Sequence, residues 1–502
     1  MELMGFVALY LAVSVLIGVI TARWVHTSRD FAVAGRHLPL SVVTATVFAT
    51  WFGSEAIFGA SSIFVQEGNN LGSIIADPFG AAFCLIIAGF FFSAKLYKLN
   101  ILTLGDYYRS RYGRTVEVLT TICIIIAYLG WVSAQIKVLG MVFSNLSDGA
   151  IDQTTGMIIG AAVVLTYTTV GGMLSVAVLD FIQMLLIIFG LAYIAYLVAG
   201  MAGGADVVIQ HAADAGKLQF FPKDVGLKEW LIFLAPGITM MLGSIPQQDV
   251  FQRITSAKSA KIALHGSLIG GSFYLLFCFV PIFIAYAATL VLPETFNAEF
   301  FEHGDAEQIE QIIPILIQNT MPFAAKVLFF GAVISAIMST ASATLLAPSV
   351  SFAENIVRGY LPQLSDRGFL RVMRVCTVCF TIFVLIFAML SMGTSVYEMV
   401  ESAYKITLAG AFIPLIVGPF WKRATNQGAL CSVVLGVVAW LLAEYSVEIM
   451  EMFASAPSPE LLVSDPEESF DIKEVSSLIG LAFSGVGIVV GSLLPQWFPA
   501  GK

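Results

Sequence analysis

Two stretches carry polar chemistry inside an otherwise apolar chain. The first is ATWFGSEAIFG, Ala49 to Gly59. Trp51, Gly53, Ser54 and an ionisable Glu55 sit there in the middle of a run long enough to cross a bilayer. Unwound backbone at such a depth leaves carbonyls and amides without partners, which is tolerated only where it lines a polar cavity or binds something. Gly53 lets another group approach the main chain closely. The second stretch is SAIMSTASATLLAPS, Ser335 to Ser349. Its Ala336, Ser339 and Thr340 fall at i, i+3 and i+4, one face of a helix. Two hydroxyls, a carbonyl at Ala336 if the helix bends, and carbonyls from the broken span suit a small hard cation such as sodium. The competing reading is that Ser and Thr bond back to the carbonyl four residues earlier.

A third group stands beside these. Tyr128, Trp131 and Gln135 share one face of their segment, and a ring face attracts an ammonium group by ~0.5–2 kcal/mol. Packing is the alternative role for such rings. Glu55 at mid-membrane costs ~2.5–3.5 kcal/mol or more and is functional by default. Its partner is a substrate amine, a second cation, Lys137 or Lys405. Lys137 falls on the far side of its helix from Trp131, which points it away from the pocket and toward the outer surface. Glu401 and Lys405 stand in the favourable i, i+4 order for an ion pair, with a gate contact as the sharper alternative.

These residues need spans to position them, and the composition supplies spans. Of 502 residues, 58% are hydrophobic and 12% charged, against about half and a quarter in soluble domains. Thirteen segments reach spanning length: 3–23, 41–66, 71–94, 114–145, 154–170, 173–200, 228–248, 262–292, 323–353, 369–392, 396–420, 426–446 and 474–497. Most of the 25 Lys and Arg then fall on one side, Arg253 and Lys502 among them. The stretches 294–322 and 447–472 on the other side are acidic. By the positive-inside rule the N-terminus is outside and the C-terminus inside. The N-terminal run lacks a basic region and a small-residue cleavage motif, so it reads as a retained span. The six Cys fall in apolar segments and read as small core residues. No GxxxxGK[ST] motif offers to bind ATP, no basic patch suggests nucleic acid, and the five scattered His do not suggest an enzyme. An internal echo supports ion-driven transport. The second span breaks at Gly53-Ser54 and the seventh at Gly243-Ser244, with Pro236 and Pro246 nearby. Paired broken spans in corresponding places mark the midplane site of inverted-repeat transporters.

Five motifs make the comparison specific: TLGDYYRSRYG (103–113), LTYTTVGGMLSVAVLDFIQ (165–183), MLGSIPQQDVFQR (241–253), ISAIMSTASATLLAPSVSFAENI (334–356) and GPFWKRATNQGAL (418–430). With these the chain resembles the sodium:solute symporter family over nearly its whole length. Ala49 to Trp51, GFFFSAKLY and GSIPQQDVFQR place it nearest the high-affinity choline transporter branch. The resemblance implies an all-α LeuT-type core of two inverted five-helix repeats, at 41–200 and 228–420, with an extra helix at 3–23 and C-terminal helices at 426–497. It implies sodium-coupled import of a small organic solute, an amine, an amino acid such as proline, or a choline-like compound, across the plasma membrane by alternating access. No organic cofactor is implied. A sensor or a sodium-permeable channel is the alternative. Carried over by position, the sodium site falls on the carbonyls of Ala49, Phe52 and Ala336 and the hydroxyls of Ser339 and Thr340, with Asp180 as the acid on the sodium exit path. The solute site falls on Trp51, Gly53, Ser54, Glu55, Tyr128, Trp131, Gln135, Gly243, Gln247 and Gln248. The choline branch looks to have a third ring at the position of Gln247 and a small residue at that of Glu55, so this chain departs toward a more polar cavity.

Overall fold

Large apolar side chains face outward on this protein: Phe90, Phe189 and Leu276 are each at least 67% exposed. Exposed apolar groups of this size suit a membrane interior, and the polar groups turn inward. The computed structural model describes residues 2–223, 225–447 and 472–496. Most of the acidic stretch 447–472, Lys502 and the end of the segment predicted at 474–497 lie outside those residues.

Among the described residues, ten helices are long and apolar enough to cross a membrane, or twelve if each of two bent pairs is one span. In chain order the elements are α1 (Glu2–Thr21), α2 (Leu40–Trp51), α3 (Glu55–Val65), α4 (Leu71–Leu99), α5 (Leu104–Tyr112), α6 (Arg114–Leu146), α7 (Gln153–Met201), α8 (Leu227–Gly243), α9 (Gln248–Ser256), α10 (Ala260–Val291), α11 (Phe323–Asn355), α12 (Asp366–Leu390), α13 (Val396–Val417), α14 (Asn426–Glu444) and α15 (Ile472–Leu493). The difference from thirteen predicted spans lies at α7, one run of 49 residues. At 1.5 Å per residue it would extend about 74 Å, over twice the ~30 Å hydrocarbon core. Gly172 interrupts it with φ 51° and ψ −146°, a conformation open to glycine. The predicted boundary between 170 and 173 falls on that residue.

The two bent pairs are the predicted broken spans. α2 and α3 meet at 57°, and α8 and α9 at 45°. Pro246 between the latter cannot donate into a helix ladder. α2, α9 and the long, almost wholly buried α11 pack against one another, so both breaks converge on the Ser339–Thr340 face. At the basic end, the amphipathic α5 caps the bundle. Tyr108 and Tyr112 donate to the carbonyls of Ala411 and Pro414, each at 2.9 Å. At the opposite end the loop 294–322 folds back on α13, with Glu310 accepting from the Val396 amide at 2.6 Å.

Candidate functional site

The helix ladder of α2 stops at Phe52 N to Phe48 O, 3.0 Å, and restarts at Ile57 N to Gly53 O, 3.3 Å. Phe52, with ψ 74°, turns the chain out of the helix. Across this gap Thr340 donates its hydroxyl to the Ala49 carbonyl at 3.3 Å. Ser339 donates to Asp180 Oδ1 at 2.5 Å, and Thr46 donates to the other oxygen of that carboxylate. A hydroxyl whose proton is committed to a carboxylate presents only lone pairs to a cation. α11 runs unbroken through Ala336, so that carbonyl stays in its ladder and offers its second lone pair. The oxygens of Ala49, Ser339 and Thr340 and the Asp180 carboxylate thus come from α2, α11 and α7, all fully buried.

Beside the gap is a knot of rings and acids. Glu55 accepts from Trp131 Nε1 at 2.9 Å and from Gln135 Nε2 at 2.6 Å, while Gln135 Oε1 accepts from the Ser54 amide at 2.9 Å. Asp249 accepts from Trp51 Nε1 at 3.0 Å and from the Tyr128 hydroxyl at 2.5 Å. The Trp51 and Trp131 rings lie 5.3 Å apart. Tyr404 stacks on Trp51 at 6.3 Å and stands edge-on to Trp131 at 5.7 Å. Gly53 has no room for a side chain: a Cβ there would stand 2.7 Å from Gln135 Oε1 and from Thr340 Oγ1, and 2.8 Å from Glu55 Oε2. The cation oxygens and the ring cluster therefore share a wall.

Not every expected residue joins this group. Gln248 spends its amide on the α4–α5 connection, accepting from Leu104 N at 2.9 Å and donating to Leu102 O at 3.3 Å. Gly243 lets α8 lie against α13, and its carbonyl accepts from Thr407 at 2.7 Å. Gln247 is fully buried with both side-chain polar atoms unpartnered. The expected Glu401–Lys405 pair is corrected: Lys405 instead bridges to Glu444 of α14 at 3.0 Å. The i, i+4 register assumes a continuous helix, and α13 is interrupted at Tyr404 and loosened by a wider turn at Leu408–Phe412. Lys137 does point away from the pocket, but it is buried rather than reaching outward. It donates to Thr394 O at 2.6 Å and lies 3.4 Å from Glu307. Arg253, expected in a loop at the basic end, is also buried, donating to the Thr50 hydroxyl at 3.0 Å and to Asp249 O at 3.1 Å.

Three residues of the site escaped sequence reasoning. Asp249, four residues before Arg253, carries no local signal of a buried role. Tyr404 carried no pattern beyond being aromatic. Asp77, buried and bonded to Tyr274 at 2.5 Å, was legible as an acid within a span, the signal that singled out Glu55.

A family model described as the sodium:solute symporter family matches residues 31–436. The chain belongs to that family. High-affinity choline transporter 1 of Caenorhabditis elegans is 24% identical over 94% of this chain and 81% of its own length. The human high affinity choline transporter 1 is 28% identical over 82% of this chain and 70% of its own. The sodium/proline symporter of Haemophilus influenzae is 26% identical over 97% and 93%. Among solved structures, a substrate-bound outward-open Na+-coupled sialic acid symporter matches 100% of this chain and 98% of its own with a TM-score of 0.81 at 19% identity. A nucleobase-cation-symport-1 family transporter in a closed conformation matches 94% and 96% with a TM-score of 0.55 at 12% identity. These likenesses establish the all-helical symporter fold. The symporter is a multi-pass membrane protein that couples solute movement to sodium.

Proposed function

We propose that sodium binds between the carbonyls of Ala49, Phe52 and Ala336 and the hydroxyls of Ser339 and Thr340, with Asp180 behind them, and that the solute binds among Trp51, Glu55, Trp131 and Gln135. The observation that carries this is the Thr340–Ala49 contact across the helix break. An alkali ion there ties α2 to α11 and settles Gly53, whose surroundings are the solute-side groups Glu55 and Gln135. Sodium then tightens the solute and the solute tightens sodium by the same factor.

The reading extends to thirteen crossings with the N-terminus outside, two inverted repeats at 41–200 and 228–420 flanked by 3–23 and 426–497, and uptake across the plasma membrane by alternating access. The relatives are named as transporters, which favours transport over enzymatic chemistry. One sodium entering down ~100 mV gives about 2.3 kcal/mol and a tenfold gradient about 1.4 kcal/mol. Together they sustain about 500-fold accumulation of a neutral solute.

The test is sodium titration of the purified protein by thermal stabilisation, with potassium as control. Thr340→Val and Ser339→Ala are each expected to raise the sodium concentration for half-effect by about tenfold or more, the value of a bond to a charged group. Unchanged sodium dependence in both variants removes the site assignment.

A further inference from the structure

Glu55, Asp77, Asp180 and Asp249 are buried carboxylates around the site, each at most 3% exposed. Among the described residues none has a Lys, Arg or His nitrogen within 4.0 Å. Arg253 is the buried cation beside them, and it bonds the main chain of Asp249, not its carboxylate. A buried carboxylate persists where a cation or strong donors meet it. Arg253 and one sodium beside Asp180 are the positive charge offered to these four acids.

The hydrogen-bond pattern shows what is missing. Each oxygen of Glu55 and Asp249 takes one donor from the chain, all of them neutral, and a carboxylate oxygen has room for a second. Asp77 Oδ2 takes none, and the hydroxyl of Tyr404 and the Gln247 amide are likewise buried without partners. Tyr404 belongs to the ring cluster itself. Asp77 stands on a segment that packs against the one carrying Glu55. This wall asks for positive charge and for N–H donors, with rings between to cover carbon. A quaternary ammonium brings charge and no donor. A carboxylate solute brings charge of the wrong sign.

We propose that the cargo is a small organic cation bearing N–H groups, a primary or secondary ammonium compound, bonded between Glu55 and Asp249 with its carbon skeleton against Trp51, Trp131 and Tyr404. This rests on the sodium-coupled reading above and makes Glu55 and Asp249 the residues that set specificity. Asp77 lies on α4, whose head is tied to the 205–223 loop where the Lys217 carbonyl accepts from the Leu71 amide.

The full-length protein in detergent, in sodium and in potassium, is titrated with 1,4-diaminobutane, ethanolamine, choline, L-proline and succinate, reading thermal stabilisation. Ethanolamine or the diamine is expected to stabilise in sodium at concentrations about tenfold or more below choline, and succinate not at all. Glu55→Gln and Asp249→Asn are each expected to weaken the amine about tenfold or more while stabilisation by sodium alone is kept. Should one of them fail to fold, the other gives the same comparison. Choline or succinate matching the amines, amine affinity unchanged in the variants, or no N–H ammonium compound stabilising although sodium does, each overturns the inference and leaves sodium coupling standing. Loss of the sodium effect in the unmodified protein strikes the sodium site instead.

Discussion

Gly53 has no side chain because three oxygens from three helices occupy the space where one would be. Gly53→Ala is expected to leave a folded protein with solute and sodium binding each weakened about tenfold or more, read by the same titrations. Loss of one with the other intact would separate the two sites. Trp131→Phe keeps a ring and removes the Nε1 donor to Glu55; solute affinity is expected to fall with sodium affinity unchanged. At this scale much of the site was legible. Glu55, Trp131, Gln135, Ser339 and Thr340 announce themselves as polar or ring groups at helical spacing within apolar runs. Asp249 did not, because its meaning depends on burial: an acid with an Arg at i+4 reads as surface until the break between α8 and α9 turns both inward. Tyr404 gains its role from neighbours far away in sequence, which no local pattern encodes.

The breaks in α2–α3 and α8–α9 were foreseeable because Gly, Ser and Pro do not hold a helix together in lipid. The interruption of α13 was not, since Tyr404 and Lys405 are ordinary helix residues and the wider turn follows from packing. Register is what such a turn alters, and it hands Lys405 to Glu444. Lys405→Met alone strands that carboxylate, so it is expected to lower the melting temperature more than the double variant Lys405→Met with Glu444→Gln. Equal losses would mean the pair contributes nothing beyond packing. The span at Gln153–Met201 shows the reverse case. Apolar length predicted two segments, and Gly172, with its non-helical backbone, separates them at the predicted boundary.

Across the whole molecule, charge is divided between ends, and the acidic end carries a titratable clasp. Burial pushes the Glu310 carboxyl up to about 7, with the neighbouring Glu307 acting in the same direction and the Val396 amide and Lys137 opposing it. The folded form therefore keeps a proton that the unfolded chain has already lost. Stability is expected to fall as pH rises from the ordinary carboxylate range to about 7 and to level off above it. Glu310→Gln keeps an acceptor for Val396 and is expected to flatten that slope, measured as melting temperature against pH. A slope unchanged in the variant assigns it to other groups.

Tyr404 and Lys405 are neighbours in the chain, one with its ring against Trp51 and Trp131 of the proposed solute site and the other anchored to the flanking helix α14. Whatever shoulders the ring aside tugs the anchor next to it. A fluorophore or spin label on α14, well clear of the binding region, should thus register occupancy from the periphery, turning the protein's flank into a gauge of what its centre holds.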